Sequence, residues 1–141
     1  MMRKKLVLLY ILAAGMLTGC SIGDDGPNFH FTALEITDAD LPESFDLNET
    51  YVVTVTYVKP DGCTAFEGFD VVKDDVTVRN VVAIGSIRTD RDDCTQDGNE
   101  LTASFNFTVI HPDPYTFKFY TGDNAEGNAE YLEIIVPVNT P

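Results

Sequence analysis

Beyond residue 28 apolar and polar residues alternate along most of the chain. That period of two predicts strands with one buried face. The clearest case is Leu101–Val109, where Leu101, Ala103, Phe105, Phe107 and Val109 are apolar and Thr102, Ser104, Asn106 and Thr108 are polar. Tyr115, Phe117 and Phe119 alternate with Thr116, Lys118 and Tyr120, and Leu132, Ile134, Val136 and Val138 form a matching stripe. Residues 51–58 are dense in β-branched and aromatic types, which suit a pleated, packed surface. Seven strand segments result, at about 29–37, 50–58, 65–72, 76–88, 101–110, 115–121 and 130–138, with no convincing helix. Two of them change phase. Phe29 and Phe31 fall out of step with Leu34 and Ile36, which calls for a bulge near Ala33 or a strand that switches sheets. Segment 76–88 slips near Arg79–Asn80, as two strands or one bent strand would.

Seven short antiparallel strands separated by regular turn signals predict an all-β, immunoglobulin-like β-sandwich. Tyr115 follows His111-Pro112-Asp113-Pro114 much as the tyrosine corner precedes a late strand of such sandwiches. Residues 115–120, the turn 122–128 and residues 131–138 read as a terminal hairpin. There is no Trp for the usual core contact, and Cys63 and Cys94 do not occupy the antibody positions. The resemblance is to bacterial immunoglobulin-like domains in general.

The N-terminus carries a different signal. Arg3, Lys4 and Lys5 precede an apolar run from Leu6 to Leu17, the layout of a secretory signal peptide. The run is short for a membrane span, which needs about 20 apolar residues. Its ending, Leu17-Thr18-Gly19-Cys20, resembles the lipobox of bacterial lipoproteins, which implies cleavage before Cys20 and lipid on its thiol. The expected organisation is a signal peptide over 1–19, a lipidated Cys20 with a flexible acidic linker over 20–28, and the sandwich over 29–141. Removing the signal leaves six basic residues against 23 acidic ones, a net charge of −17 compared with −14 for the whole chain. Such a surface repels nucleic acid and anionic membrane surfaces and favours solubility. With Cys20 assigned to lipid, Cys63 and Cys94 remain as an even pair. An exported protein meets an oxidising compartment, so the pair is expected to form a structural disulfide tying loops at one end of the sandwich. The rival, a two-thiol metal or redox site, lacks a C-x-x-C and a nearby His. As a whole the chain resembles the small surface lipoproteins of Bacteroidota. That resemblance implies an outer-membrane anchor, facing the cell surface or alternatively the periplasm, and implies no activity.

Candidate chemistry is sparse. Residues 90–100 gather five carboxylates, and Asp93-x-Thr95-x-Asp97-Gly98 matches the first half of an EF-hand loop. The twelfth position falls on Ser104, inside a strand, where a bidentate Glu is required. A calcium site completed by Asp61 or Glu67 competes with a plain solvated acidic loop, and no metal ligand set is assigned. His30 and His111 have no His, Cys or Glu at ligand spacing, and hydrolase and phosphate-loop motifs are missing from the sequence. No catalytic residue and no cofactor is expected. Tyr120 and Tyr131, flanking the last turn, are the rings best placed to point outward as a sugar platform. The functional expectation is a non-enzymatic, lipid-anchored domain for adhesion or protein partnering. The alternatives are a glycan- or calcium-binding module and a structural subunit of an outer-membrane complex.

Overall fold

A computed structural model describes residue 19 and residues 28–141. The signal peptide, Cys20 and most of the linker lie outside the described residues. Ten strands follow in order: β1 (Phe29–Leu34), β2 (Ile36–Asp40), β3 (Phe45–Asp46), β4 (Thr50–Lys59), β5 (Thr64–Asp75), β6 (Val78–Arg88), β7 (Asn99–Thr108), β8 (Tyr115–Asp123), β9 (Ala129–Val136) and β10 (Val138–Asn139). The fold is the all-β sandwich the alternation predicts. β5, β6, β8, β9 and β1 form a five-stranded sheet, β2, β4 and β7 a three-stranded one, and β3 and β10 a short two-stranded pair.

The two larger sheets bury one common core. Val53, Val55, Tyr57 and Phe107 of the three-stranded sheet meet Val81, Ala83, Phe117, Phe119 and Val136 of the five-stranded sheet. Aromatic rings cross the gap directly. Tyr57 stacks on Phe66 at 4.6 Å, Phe69 lies 5.4 Å from Phe105, and Phe107 lies 5.0 Å from both Tyr115 and Phe117. Ring pairs in edge and stacked geometry add about 0.5–1.5 kcal/mol each beyond the area they bury.

The first segment resolves into the sheet switch. β1 pairs antiparallel with the second half of β6, and β2 pairs antiparallel with β4 in the other sheet. Glu35 is the crossing residue, so Leu34 and Ile36 both reach the core, one from each sheet. Segment 76–88 holds one strand, β6, preceded by a turn at Val76 and Thr77. Its apparent slip arises because Arg79 and Gly85 occupy inward positions on either side of Val81 and Ala83. Gly85 is required there, since a Cβ would sit 2.9 Å from the Leu34 Cδ2 packed over it.

Pairing is mixed rather than antiparallel throughout. β6 and β8 run parallel, in register from Val78 with Thr116 to Val81 with Phe119. β7 lies between them in sequence and reverses direction in the opposite sheet, so β8 returns to the first sheet in the direction of β6. The strand count exceeds seven because the first segment divides and because β3 and β10 are only two residues long. Pro137 separates β9 from β10, its carbonyl accepts the Phe45 N–H at 2.8 Å, and Val138 then pairs with Phe45.

The two ends of the sandwich are held differently. At one end the β4–β5 and β6–β7 connections both cross between sheets, and the Cys63–Cys94 disulfide joins them with a Cα–Cα distance of 5.3 Å. The Gly62 N–H donates to the Thr95 carbonyl at 2.9 Å beside it. At the other end lies an aromatic cluster. Tyr115 is fully buried, and its Oη accepts the N–H groups of Ile110 at 3.2 Å and His111 at 3.1 Å, which is the tyrosine corner the sequence suggests. Tyr51 builds a second such corner, accepting the Asp46 N–H at 2.8 Å. At the same end Arg79 lies inside, its guanidinium 5.4 Å from the Tyr115 ring centre and 5.8 Å from that of Phe107. Its Nη1 donates to the carbonyls of Asp75, Val76 and Val78, so the cation closes the β5–β6 turn from within.

Candidate functional site

The acidic segment is organised by arginines. Arg88 donates to both carboxylate oxygens of Asp90, at 2.9 and 2.6 Å, and Arg91 donates to both of Asp93 at 3.2 Å. The Arg88 hydrogen bonds hold the Asp90 carboxyl below the usual carboxylate range, and Arg91 does the same to Asp93. Asp61 is used locally, its Oδ1 accepting the Cys63 N–H at 3.0 Å and the Thr64 hydroxyl at 2.7 Å. Glu67 accepts the Ser86 hydroxyl at 2.6 Å. Asp61, Glu67, Asp90 and Asp93, four of the carboxylates that a calcium site would recruit, therefore have protein partners. Among the described residues no three His, Cys, Asp or Glu side chains converge as a metal-holding group. His30 stands exposed on β1, and His111 sits in the β7–β8 turn against Tyr115, so the two histidines are not brought together.

The more organised surface is the outer face of the five-stranded sheet. Alternation turns Tyr115, Phe117 and Phe119 inward and leaves Thr116, Lys118 and Tyr120 on the outside. β9 answers in register: Ile135 opposite Thr116, Glu133 opposite Lys118 and Tyr131 opposite Tyr120. The two tyrosine rings meet edge to face at 6.2 Å, with Tyr131 42% exposed. The Tyr120 hydroxyl donates to Asp123 Oδ1 at 3.0 Å. Partial burial and then this hydrogen bond raise the Tyr120 phenol above the ordinary tyrosine range, so it stays neutral and able to donate. Gly122, at φ 120°, lets β8 bulge past Glu35 at this point, where a Cβ would lie 3.0 Å from Glu35 Oε1.

Beside the tyrosines runs a polar row. Asn80 on β6, Lys118 on β8 and Glu133 on β9 share one register line, with Lys118 Nζ 3.9 Å from Glu133 Oε1. Asn80 Oδ1 is buried and is the one such side-chain atom without a hydrogen-bond partner among the described residues. A buried acceptor left unpaired costs about 1–3 kcal/mol. A ring pair flanked by an amide, a cation and carboxylates can stack a flat apolar face while hydrogen-bonding its rim. On the same face Phe29 and Phe31 form a second exposed ring pair at 5.4 Å. The sequence pointed to Tyr120 and Tyr131 through their phase. Asn80 went unnoticed because the inward Arg79 disguised the phase of β6.

Comparison with known proteins adds no identity. No protein-family model, curated protein or solved structure matches this chain.

Proposed function

We propose that this chain is a lipid-anchored protein of the bacterial outer membrane whose sandwich presents its outer surfaces to a protein partner, in a binding rather than a catalytic role. The observation that carries the reading is the cysteine arithmetic. Cys63 and Cys94 are bonded to each other, as suits an oxidising compartment, and that leaves Cys20 as the odd thiol directly after an apolar run and a small-residue ending. Phe29, the first residue of β1, is nine positions further along, so a lipid on Cys20 would hold the sandwich within about 30 Å of the anchor even with the linker extended. Several acyl chains hold firmly where one binds reversibly, at about 0.8 kcal/mol per buried CH₂. The test is fractionation of cells expressing the wild type and Cys20→Ala. The wild type is expected in the outer-membrane fraction and the variant in the soluble one. A variant that remains membrane-bound would sink the anchor, and resistance of the wild type to protease on intact cells would move the domain to the periplasmic side.

A second reading is favoured by the Tyr120/Tyr131 pair with the Lys118–Glu133 pair one register line away: a face that takes a saccharide, rings against its apolar side and charged groups against its hydroxyls. On this reading Tyr131→Ala is expected to weaken binding to a polysaccharide panel by at least about tenfold, as loss of one stacked ring does. The thermal midpoint should hold, because the ring is 42% exposed. A panel that gives no binding to the wild type leaves the protein-partner reading in place and removes this one.

A further inference from the structure

We propose that β7 is the strand through which two copies of this chain pair edge to edge. Unpaired strand edges are templates for further pairing, and sheets ordinarily guard them with charges, bulges or short strands. Four of the edges here are guarded. β5 breaks register at Phe66/Gly68 and at Lys73/Asp75 and carries Asp70, Lys73, Asp74 and Asp75. β9 pairs through the bulge at Tyr120/Gly122 and carries Glu130 and Glu133. β1 and β2 are the six- and five-residue halves of one strand broken at Glu35, and β2 adds a bulge with Asp38 and Asp40. β7 has none of these devices. Its ten residues run in unbroken register with β4, from Asn99 opposite Lys59 to Thr108 opposite Thr50, with no charge after Glu100.

The inner side of β7 is also unfinished. Tyr57 on β4 is 4% exposed, yet Leu101, its register partner in the same inward phase, is 41% exposed. Ala103 and Phe105 are half-buried where Val55 and Val53 opposite them are sealed. The core is covered on the β4 side and open on the β7 side, and one more strand would close it.

Charge permits a second copy as that strand, and the residue order of β7 suits one. A chain carrying −17 beyond its signal repels itself over most of its surface. Along β7 it does not. In an antiparallel, two-fold pairing about Ser104, Leu101 of one copy faces Phe107 of the other, Ala103 faces Phe105, Thr102 faces Asn106 and Glu100 faces Thr108. No carboxylate opposes another, apolar side chains meet on the inner face, and hydroxyl and amide groups meet on the outer one. The contact is isologous and closes on itself, joining two three-stranded sheets into one continuous sheet. This pairing stands whether or not Cys20 carries lipid.

Sedimentation equilibrium of the full chain in density-matched detergent, across the micromolar range, tests it. The wild type is expected to shift from monomer to dimer with concentration. Leu101→Lys and Ser104→Lys, which place charges on the two faces of the shared edge, are each expected to weaken dimerisation at least about tenfold. Circular dichroism checks that each variant keeps its sheet; if Leu101→Lys unfolds, Ser104→Lys, on the solvent face, decides. A wild type that stays monomeric throughout overturns the proposal, even if β7 accepts a strand from some other protein. So does dimerisation that neither lysine weakens.

Discussion

Phe117→Ala is expected to lower the free energy of unfolding by about 3–5 kcal/mol, the range for removing a fully buried aromatic ring. Phe117 has no exposed surface, and its ring touches those of Phe45, Tyr115, Phe107 and Phe119 at 6.1, 6.3, 5.0 and 6.0 Å. Those neighbours come from three strands, β3, β7 and β8, so no single shift can refill the space. A loss of this size is a large share of the 5–15 kcal/mol that holds a typical domain. Urea unfolding of both proteins, read at matched m-values, measures it. A loss below about 1 kcal/mol would mean that Phe117 does not sit between the sheets as described.

Replacing both Cys63 and Cys94 by Ala is the second large effect. The bond closes a loop with a sequence separation of 31 residues. Loop-closure entropy for about that length gives roughly 3.7 kcal/mol of stabilisation in the chain-entropy account. For a domain of this size that corresponds to a fall of about 15 °C in the melting midpoint. Reduction of the wild type should reproduce the shift, because Arg88, Asp90 and the Gly62–Thr95 hydrogen bond remain. A midpoint indifferent to both treatments would show that the two sheet-crossing connections hold without their covalent link.

Much of this architecture was legible because a half-buried strand writes its two faces into alternate residues. Leu101–Val109 and Tyr115–Phe119 point where their alternation says, whereas Phe31 and Leu34 are out of step because they stand on opposite faces of β1, and the crossing at Glu35 leaves no break in phase. The Tyr115 corner was legible too, since it depends on local chain geometry. Alternation names a face and not a neighbour, which is why the parallel pairing of β6 with β8 left no local trace. Arg79 misled the reading of β6: a charge in a strand is ordinarily outward, and this one is turned inward by two rings and three carbonyls. The stripe from Leu132 to Val138 looked continuous, yet Pro137 ends β9 and hands Val138 to β3. The acidic run left a calcium site open beside a plain solvated loop because composition does not show that Arg88 and Arg91 fold back onto Asp90 and Asp93. The Tyr120/Tyr131 pair was visible in phase, while Asn80 joins it only through register with Lys118 across a parallel ladder.

The crossing at Glu35 also has a mechanical side. Phe29 enters at the disulfide end, paired with Arg88, whose N–H binds the Cys63 carbonyl, whereas Val138 leaves at the aromatic end beside Phe45. Tension drawn between these two points runs along β1 rather than across it. The ladder between β1 and β6 is then loaded in shear, with its six residue pairs bearing the pull together instead of opening one after another. The covalent bridge lies next to the point where that load comes in.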